Sequence, residues 1–368
     1  MANENKIDFS KIDPNMAVDT TIGEPDVFFY DVRKPPFAVY GLYNYQNEKE
    51  FKRLPDEIGQ NTNPGVAKLY LNTAGGRLRF STDSQYVAIR AEMPMIYRAS
   101  HFALTGSAGF DLFVDDPVTG ESAFISPFRP DYNFQEGYES KVKFRTRKLR
   151  HFTICFPSYS NVTNLWIGLQ KDATVGEGLK YRDVAPVVYY GSSITQGACA
   201  NRPGNIYQNV ICRRMNMDYI NLGFSGSGKA EDLIVNYMAG LKMSAFVSDY
   251  DHNAPNVEHL ANTHRKMYEA IRAKNPDIPY IMLSRPDFEK GYNDSVNRRE
   301  VVHDTYRYAR DHGDNNVYYI DGEQVFAGPY HELCVVDGTH PTDMGFALMA
   351  DAIGTALKKA FVRQLEID

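Results

Sequence analysis

An apolar run at 187–190 ends in the glycine-flanked serine turn Gly191-Ser192-Ser193. A turn of this kind at the end of a strand is where an exposed nucleophile would lie. A serine hydroxyl is a weak nucleophile by itself and needs a general base and donors that stabilise an oxyanion. The chain supplies candidates for both in later segments, which are 221–226, 249–253 and 337–341. Together these residue types indicate acyl-transfer chemistry.

The first half of the chain has the periodicity of β-strands. From about residue 20 to 175, apolar and polar residues alternate, as they do at 87–93, and turn signals such as those at 73–76 separate the runs. Alternation with a period of two predicts strands with one buried face. We therefore expect this half to be an antiparallel β-sandwich of jelly-roll-like type.

After about residue 181, short apolar runs alternate with helical patterns. The runs predict buried strands at 187–190, 219–222, 245–248, 279–283 and 317–320. The helical patterns cover 206–215, 257–271, 297–311 and a last segment around 346–357. This alternation predicts an α/β fold with three layers, in which helices flank both faces of a parallel sheet. Ligands bind beyond the carboxyl ends of such strands, so the candidate segments should meet at one rim.

The chain length and the change of periodicity predict two domains. A chain of 368 residues exceeds the usual size of one domain. We place the boundary so that residues 1–181 form the β-sandwich and residues 182–368 form the catalytic α/β domain.

The candidate segments resemble, in their order, the blocks of the SGNH (GDSL-like) hydrolases. In that family the third residue of a G-D-S block is the nucleophile, which corresponds to Ser193. Ser192 stands where most members have aspartate, which removes a carboxylate but no catalytic group. The family's D-x-x-H block is matched by Asp337 and His340. The resemblance assigns His340 as the general base and Asp337 as the residue that orients its ring.

The resemblance also assigns three oxyanion donors. They are the backbone N–H groups of Ser193 and Gly226 and the side-chain amide of Asn253. Asn256 is the rival to Asn253, which we prefer because it lies nearer the end of the predicted strand.

Three further residues could contact the substrate. The segment 106–113 resembles the G-x-D-L-Y motif of an accessory domain that precedes some SGNH esterase domains, with Phe113 in place of the tyrosine. That resemblance would place Asp111 near the mouth of the active site, although a core turn is an equal alternative. Arg202 begins the helix after the serine turn and could reach the pocket or lie on the surface. His252 could line the site, and a loop histidine whose hydrogen bonds are satisfied is an equal alternative.

The resemblance implies a serine carboxylic-ester hydrolase that works through an acyl-enzyme, since many members remove acetyl groups from sugars. The expected partner is a small-molecule or oligosaccharide acyl ester. An acyltransferase that uses the same site is the first alternative. A catalytically dead carbohydrate-binding protein is the second, although the intact Ser193, Asp337 and His340 argue against it. No cofactor and no metal is expected, because His252 and His259 lack a third ligand at metal-site spacing.

Composition narrows the expected environment and partners. A net charge of -6 and a pI near 5.9 give no positive potential that would attract a phosphate backbone, so we expect no nucleic-acid partner. We find no apolar run long enough for a bilayer and no signal-peptide pattern at 1–8, so we expect no membrane partner and a cytoplasmic protein. The sequence leaves open whether the protein forms a homo-oligomer. The cysteines are scattered, which predicts free thiols at positions 155, 199, 212 and 334.

Overall fold

The structure is a computed structural model that describes residues 21–365. The expectation about a leader, which rests on residues 1–8, lies outside the described residues. Within the described part of the chain, no helix combines the length and apolar character that a bilayer crossing requires.

The first half is an antiparallel β-sandwich, as predicted. Its strands are β1 (Val27–Asp31), β2 (Ala38–Tyr40), β3 (Arg77–Thr82), β4 (Tyr86–Glu92), β5 (Phe110–Asp115), β6 (Ser122–Phe128), β7 (Gly137–Lys143), β8 (Arg150–Cys155), β9 (Asn164–Gln170) and β10 (Val175–Glu177). One sheet has the order β1-β9-β4-β7, and the other has the order β10-β3-β8-β5-β6 with β2 paired to β3. Their inner faces enclose an apolar core that includes Phe80, Ile89, Phe152 and Ile167. Three short helices interrupt the strands, namely α1 (Asp56–Thr62), α2 (Val66–Leu69) and α3 (Leu104–Ser107).

The second half is a parallel sheet between two layers of helices, which confirms the predicted α/β class. Its strands are β11 (Val187–Gly191), β12 (Tyr219–Gly223), β13 (Ala245–Asp249), β14 (Tyr280–Leu283) and β15 (Val317–Ile320), in the order β12-β11-β13-β14-β15. Its helices are α4 (Ser193–Gln196), α5 (Tyr207–Met215), α6 (Asp232–Ala239), α7 (Val257–Lys274), α8 (Tyr292–Asp311), α9 (Gly322–Val325) and α10 (Asp343–Leu365). Side chains of α6, α7 and α8 pack on one face of the sheet, and those of α5 and α10 pack on the other.

The two halves share packing. Leu54, Val66 and Tyr70 come from the first half but belong to the apolar cluster that lies under α6 and α7. Arg53 is buried, and its guanidinium donates to the backbone carbonyls of Asn221 (3.2 Å) and Gly223 (2.6 Å) on β12. The segment around α1 and α2 therefore packs against the parallel sheet. The division at residue 181 stays a prediction.

Candidate active site

The three central strands of the parallel sheet end at the same level. Gly191 at the end of β11 pairs with Gly223 of β12 on one side and with Asp249 of β13 on the other. The turns that follow these strands consequently begin at one edge of the sheet, as the sequence predicted.

Ser193 is the first residue of α4, directly after β11. The side chain of Ser192 caps this short helix by accepting a hydrogen bond from the Ile194 N–H (3.1 Å). A hydroxyl at the N-cap satisfies one of the free N–H groups of a helix start. Ser192 is fully buried, whereas Ser193 keeps 8% of its surface exposed. The two neighbouring serines therefore differ in role. Ser192 stabilises the turn, and Ser193 is accessible at the edge of the sheet.

Ser193, His340 and Asp337 form a continuous hydrogen-bonded chain. Ser193 Oγ lies 2.9 Å from His340 Nε2, and His340 Nδ1 lies 2.7 Å from Asp337 Oδ2. A carboxylate only accepts, so Nδ1 carries the proton and Nε2 presents its lone pair to the serine hydroxyl. The family resemblance predicted this grouping, although Ser193 and His340 lie 147 positions apart in the chain.

The loop that carries Asp337 also fixes its charge. Partial burial alone would raise the pKa of Asp337, but hydrogen bonds from the backbone N–H and imidazole of His340 and from the Thr339 N–H outweigh it and lower the pKa to about 2. Gly338 adopts a φ of +81° between these residues, a conformation that glycine adopts without strain. Asp337 is thus an anion throughout the pH range in which a histidine titrates.

The expected oxyanion donors follow the three central strands. Asn253 is 9% exposed, and its Nδ2 donates one hydrogen to the Phe224 carbonyl (2.8 Å). The second hydrogen of this amide can donate to an oxyanion. Gly226 has a φ of +64°, and a Cβ there would meet no described atom within 4 Å. Its left-handed backbone therefore favours glycine. The rival Asn256 is exposed and caps α7 by accepting from the His259 N–H.

Residues of the first half also reach the nucleophile turn. The Tyr159 hydroxyl donates to the Ser193 carbonyl (3.2 Å), and Gln196 Nε2 donates to Asn72 Oδ1 (2.9 Å) and to the Ser158 carbonyl (3.2 Å). Tyr159, Asn72 and Ser158 could not be predicted from the sequence, because none belongs to a motif and each contact joins distant parts of the chain.

An aromatic group from the first half lies beside His340. Tyr97, Phe102 and Tyr159 pack with ring centroids 5.0–5.3 Å apart. The His101 ring lies 6.2 Å from the His340 ring, and its Nε2 is 3.8 Å from Asp337 Oδ2. His101 was also missed, since a lone histidine in a connecting segment carries no signal in the sequence.

Asp111 and Arg202 lie together where the two halves meet. Arg202 Nη1 is 3.1 Å from Asp111 Oδ2, the same oxygen accepts from the Gly204 N–H (2.9 Å), and the guanidinium lies over the Phe124 ring. Asp111 is fully buried. Burial raises its pKa to about 6 against the opposing effect of Arg202. These contacts tie the two residues to the junction between the halves, and their role toward substrate stays a prediction.

His252 lies in a buried group of carboxylates. Its Nε2 is 2.8 Å from Asp287 Oδ1, and its side chain is 8% exposed. Burial would lower the pKa of His252, but Asp287, Asp251 and Asp249 raise it above its ordinary value. The pKa of the fully buried Asp249 is raised by burial to about 8, although His252 opposes this shift. The partner of His252 therefore comes from another loop, the one that follows β14, and the role of His252 toward substrate stays a prediction.

Comparison with known proteins identifies the family. The model of the GDSL-like lipase/acylhydrolase family matches residues 184–358, and the model of the GxDLY N-terminus of SGNH-hydrolase-type esterases matches residues 27–175. The protein is a member of the SGNH (GDSL-like) hydrolases. No curated protein sequence matched this chain.

Several solved structures share the architecture of this SGNH hydrolase over nearly its whole length. A Bacteroides ovatus protein assigned as a GDSL-like lipase is 26% identical, with a TM-score of 0.81 over 91% of this chain and 98% of its own. A salicylyl-acyltransferase from a tetracycline biosynthetic pathway is 20% identical, with a TM-score of 0.73 over 90% and 96%. An acetyl xylan esterase from Butyrivibrio proteoclasticus is 11% identical, with a TM-score of 0.57 over 91% and 98%. The last two likenesses concern the fold alone.

Proposed function

We propose that this SGNH hydrolase is a serine esterase that removes acetyl groups from carbohydrates through an acyl-enzyme. The observation that carries the proposal is the 2.9 Å separation between Ser193 Oγ and His340 Nε2, with His340 Nδ1 held 2.7 Å from Asp337. A serine becomes a competent nucleophile when an oriented imidazole can take its proton.

In the proposed acylation step, Ser193 Oγ attacks the ester carbonyl carbon while its proton moves to His340 Nε2. Asp337 keeps the Nδ1 tautomer and stabilises the imidazolium that forms. The carbonyl oxygen gains negative charge, which the N–H groups of Ser193 and Gly226 and the Asn253 amide would stabilise. His340 then gives its proton to the departing alcohol oxygen. In the second step it activates a water, which releases acetate and restores Ser193.

Carbohydrate esters are the proposed substrate class for two reasons. Carbohydrate esterases, including the acetyl xylan esterase, share this two-part fold. In addition, Tyr97 is partly exposed and packs on Phe102 and on Tyr159, whose hydroxyl contacts the Ser193 carbonyl. An aromatic ring with one exposed side gives a sugar a large apolar contact area at low entropic cost.

Acyl transfer is the second candidate, because the salicylyl-acyltransferase shares the fold with a TM-score of 0.73. The same acyl-enzyme would serve both reactions, and only the acceptor differs. The site therefore favours ester chemistry in both cases, and the competition between water and an alcohol decides between them.

The test compares turnover of p-nitrophenyl acetate with turnover of acetylated xylo- and manno-oligosaccharides, with Ser193→Ala as the control. We expect acetate release that is absent in the variant and a higher kcat/KM on at least one oligosaccharide. Adding a free sugar or alcohol acceptor distinguishes the two candidates. Acetate as the sole product supports a hydrolase, and acylated acceptor supports a transferase. No release from any ester would contradict the proposal.

A further inference from the structure

His101, Cys199 and His340 form a compact group of soft ligands at the edge of the catalytic site. One ligand atom from each lies within 4.8 Å of the other two. The three residues come from separate segments: His101 from the connection between β4 and α3, Cys199 from the turn after α4, and His340 from the loop before α10. The tertiary structure therefore assembles this group, which the sequence did not predict.

The donor set is one that transition metals prefer. Two imidazoles and one thiolate, with a fourth position open to water or another oxygen, match the ligand types of zinc sites. Ligand atoms on a tetrahedral zinc lie about 3.3–3.5 Å apart, given bonds of about 2.0–2.3 Å. Closing the group from 4.8 Å thus takes a movement of about 1 Å. The His101 side chain is 39% exposed and can make that movement.

His340 is already oriented as a metal ligand would be. Its Nδ1 donates to Asp337, and a carboxylate in this position also orients metal-binding histidines toward their ion. Its Nε2 lone pair can take the proton of Ser193 or bind a cation, but it cannot do both. Ser193 Oγ, at 2.9 Å from Nε2, lies close enough to supply the fourth ligand.

The thiol of Cys199 is unreactive without a metal. Its side chain is buried, and burial together with the nearby Asp337 raises the pKa of its thiol to about 12. A protonated thiol is a poor nucleophile, which argues against an acyl-transfer role for it. A bound divalent cation deprotonates a coordinating thiol outright.

We propose that His101, Cys199 and His340 bind a zinc-like divalent cation reversibly and that this binding switches off the catalytic site. The inference goes beyond the proposed function, because the cation takes no part in ester chemistry. The thiol proton passes to solvent when the metal–sulfur bond forms. The cation then occupies the lone pair that Ser193 needs, and inhibition follows without any change in fold.

The direct test is a titration of the substrate-free protein with Cd²⁺, which gives an ultraviolet charge-transfer band when it binds thiolate. We expect one Cd²⁺ per chain and a band that is absent in Cys199→Ala. His101→Gln should raise the Cd²⁺ concentration for half-saturation by about tenfold or more, since it removes one of three ligands. The matched controls are Cys212→Ala, another buried thiol, and His312→Gln, an exposed histidine at the C-terminal end of α8. A band that persists in Cys199→Ala, or no band in the wild type, would overturn the site.

The second test measures Zn²⁺ inhibition of p-nitrophenyl acetate turnover, with each protein compared with its own metal-free rate. We expect inhibition that a chelator reverses and a half-inhibiting concentration about tenfold or more higher in Cys199→Ala than in Cys212→Ala. Equal inhibition of these two variants would refute the switch. If no ester is turned over, the proposed function fails, while the Cd²⁺ titration still decides the metal site.

Discussion

The Tyr159 hydroxyl donates a 3.2 Å hydrogen bond to the backbone carbonyl of Ser193. Tyr159 belongs to the β-sandwich half, so the residue that carries the proposed nucleophile is held by the other half of the chain. Gly106 approaches the next turn so closely that a Cβ there would lie 1.9 Å from the Ala200 carbonyl oxygen. The geometry of the nucleophile turn is consequently a property of both halves.

The first prediction concerns the two adjacent serines. A fluorophosphonate should label the wild type at Ser193, and Ser193→Ala should abolish both labelling and turnover, because only a serine activated by a base attacks such phosphorus centres at neutral pH. Ser192→Ala is the matched control. It removes the cap of α4 and should cost about 1 kcal/mol of stability while labelling persists. Mass spectrometry of the labelled peptide provides the measurement. Labelling that survives in Ser193→Ala and disappears in Ser192→Ala would reverse the assignment.

The second prediction concerns the oxyanion amide. Asn253→Ala should lower kcat by roughly 10²–10³, a loss of about 2.7–4 kcal/mol, with much less change in KM, because the amide acts on charge that develops in the transition state. Asn256→Ala is the matched control, since Asn256 caps α7 at the surface. It should cost about 1 kcal/mol in stability and leave kcat nearly unchanged. Steady-state kinetics on p-nitrophenyl acetate measure both. A larger loss of kcat in Asn256→Ala would make that residue the donor.

Sequence patterns were sufficient for the elements whose burial is uniform. The runs at 187–190 and 245–248 predicted β11 and β13 to within a residue, because a strand buried on both faces gives a continuous apolar run. Helix α6 was missed. It has only eight residues, and this length is too short for its apolar side chains to repeat clearly at the spacing of a helix.

The grouping of Ser193, His340 and Asp337 was predictable because each residue belongs to a block with its own local pattern. Asp337 and His340 share one turn, and Ser193 follows a strand that ends in glycine. His101 and Tyr159 could not be found in this way. Their contacts with the site depend on how the β-sandwich packs against the parallel sheet, and no local spacing encodes that packing.

The third prediction concerns the buried carboxyl group of Asp111. Burial raises its pKa to about 6, compared with about 3.9 for an unfolded aspartate. Between these values the folded protein binds a proton that the unfolded chain has released, so this group's contribution to stability falls as pH rises from about 4 to 6. Asp111→Asn keeps an acceptor for the Gly204 N–H but has no charge to bury. Relative to this variant, the wild type should therefore lose on the order of 2 kcal/mol between pH 4 and pH 7.

Urea unfolding at several pH values measures this difference. Asp131→Asn, at an exposed loop position, serves as the control and should track the wild type. If the stability difference between wild type and Asp111→Asn stays constant from pH 4 to pH 7, the carboxyl group titrates normally and the effect of burial is refuted.

The last prediction concerns the dependence of the catalytic half on the β-sandwich. Residues 182–368 expressed alone should fold poorly and lose most activity. They would lack Leu54, Val66 and Tyr70 from the core beside α6, together with the Arg53 bonds to β12. The truncated chain would also lose the contacts that hold the turn at Ser193. A loss of orientation of this kind raises the activation free energy by several kcal/mol.

Near-ultraviolet circular dichroism and kcat/KM on p-nitrophenyl acetate and an acetylated oligosaccharide measure the outcome. Tyr159→Phe in the full chain is the control, because it removes one hydrogen bond and keeps the ring packing. It should stay folded, lose about 1 kcal/mol in stability and retain more activity than the truncated chain. A well-folded fragment with unchanged kcat/KM on both substrates would show that the catalytic half positions Ser193 by itself.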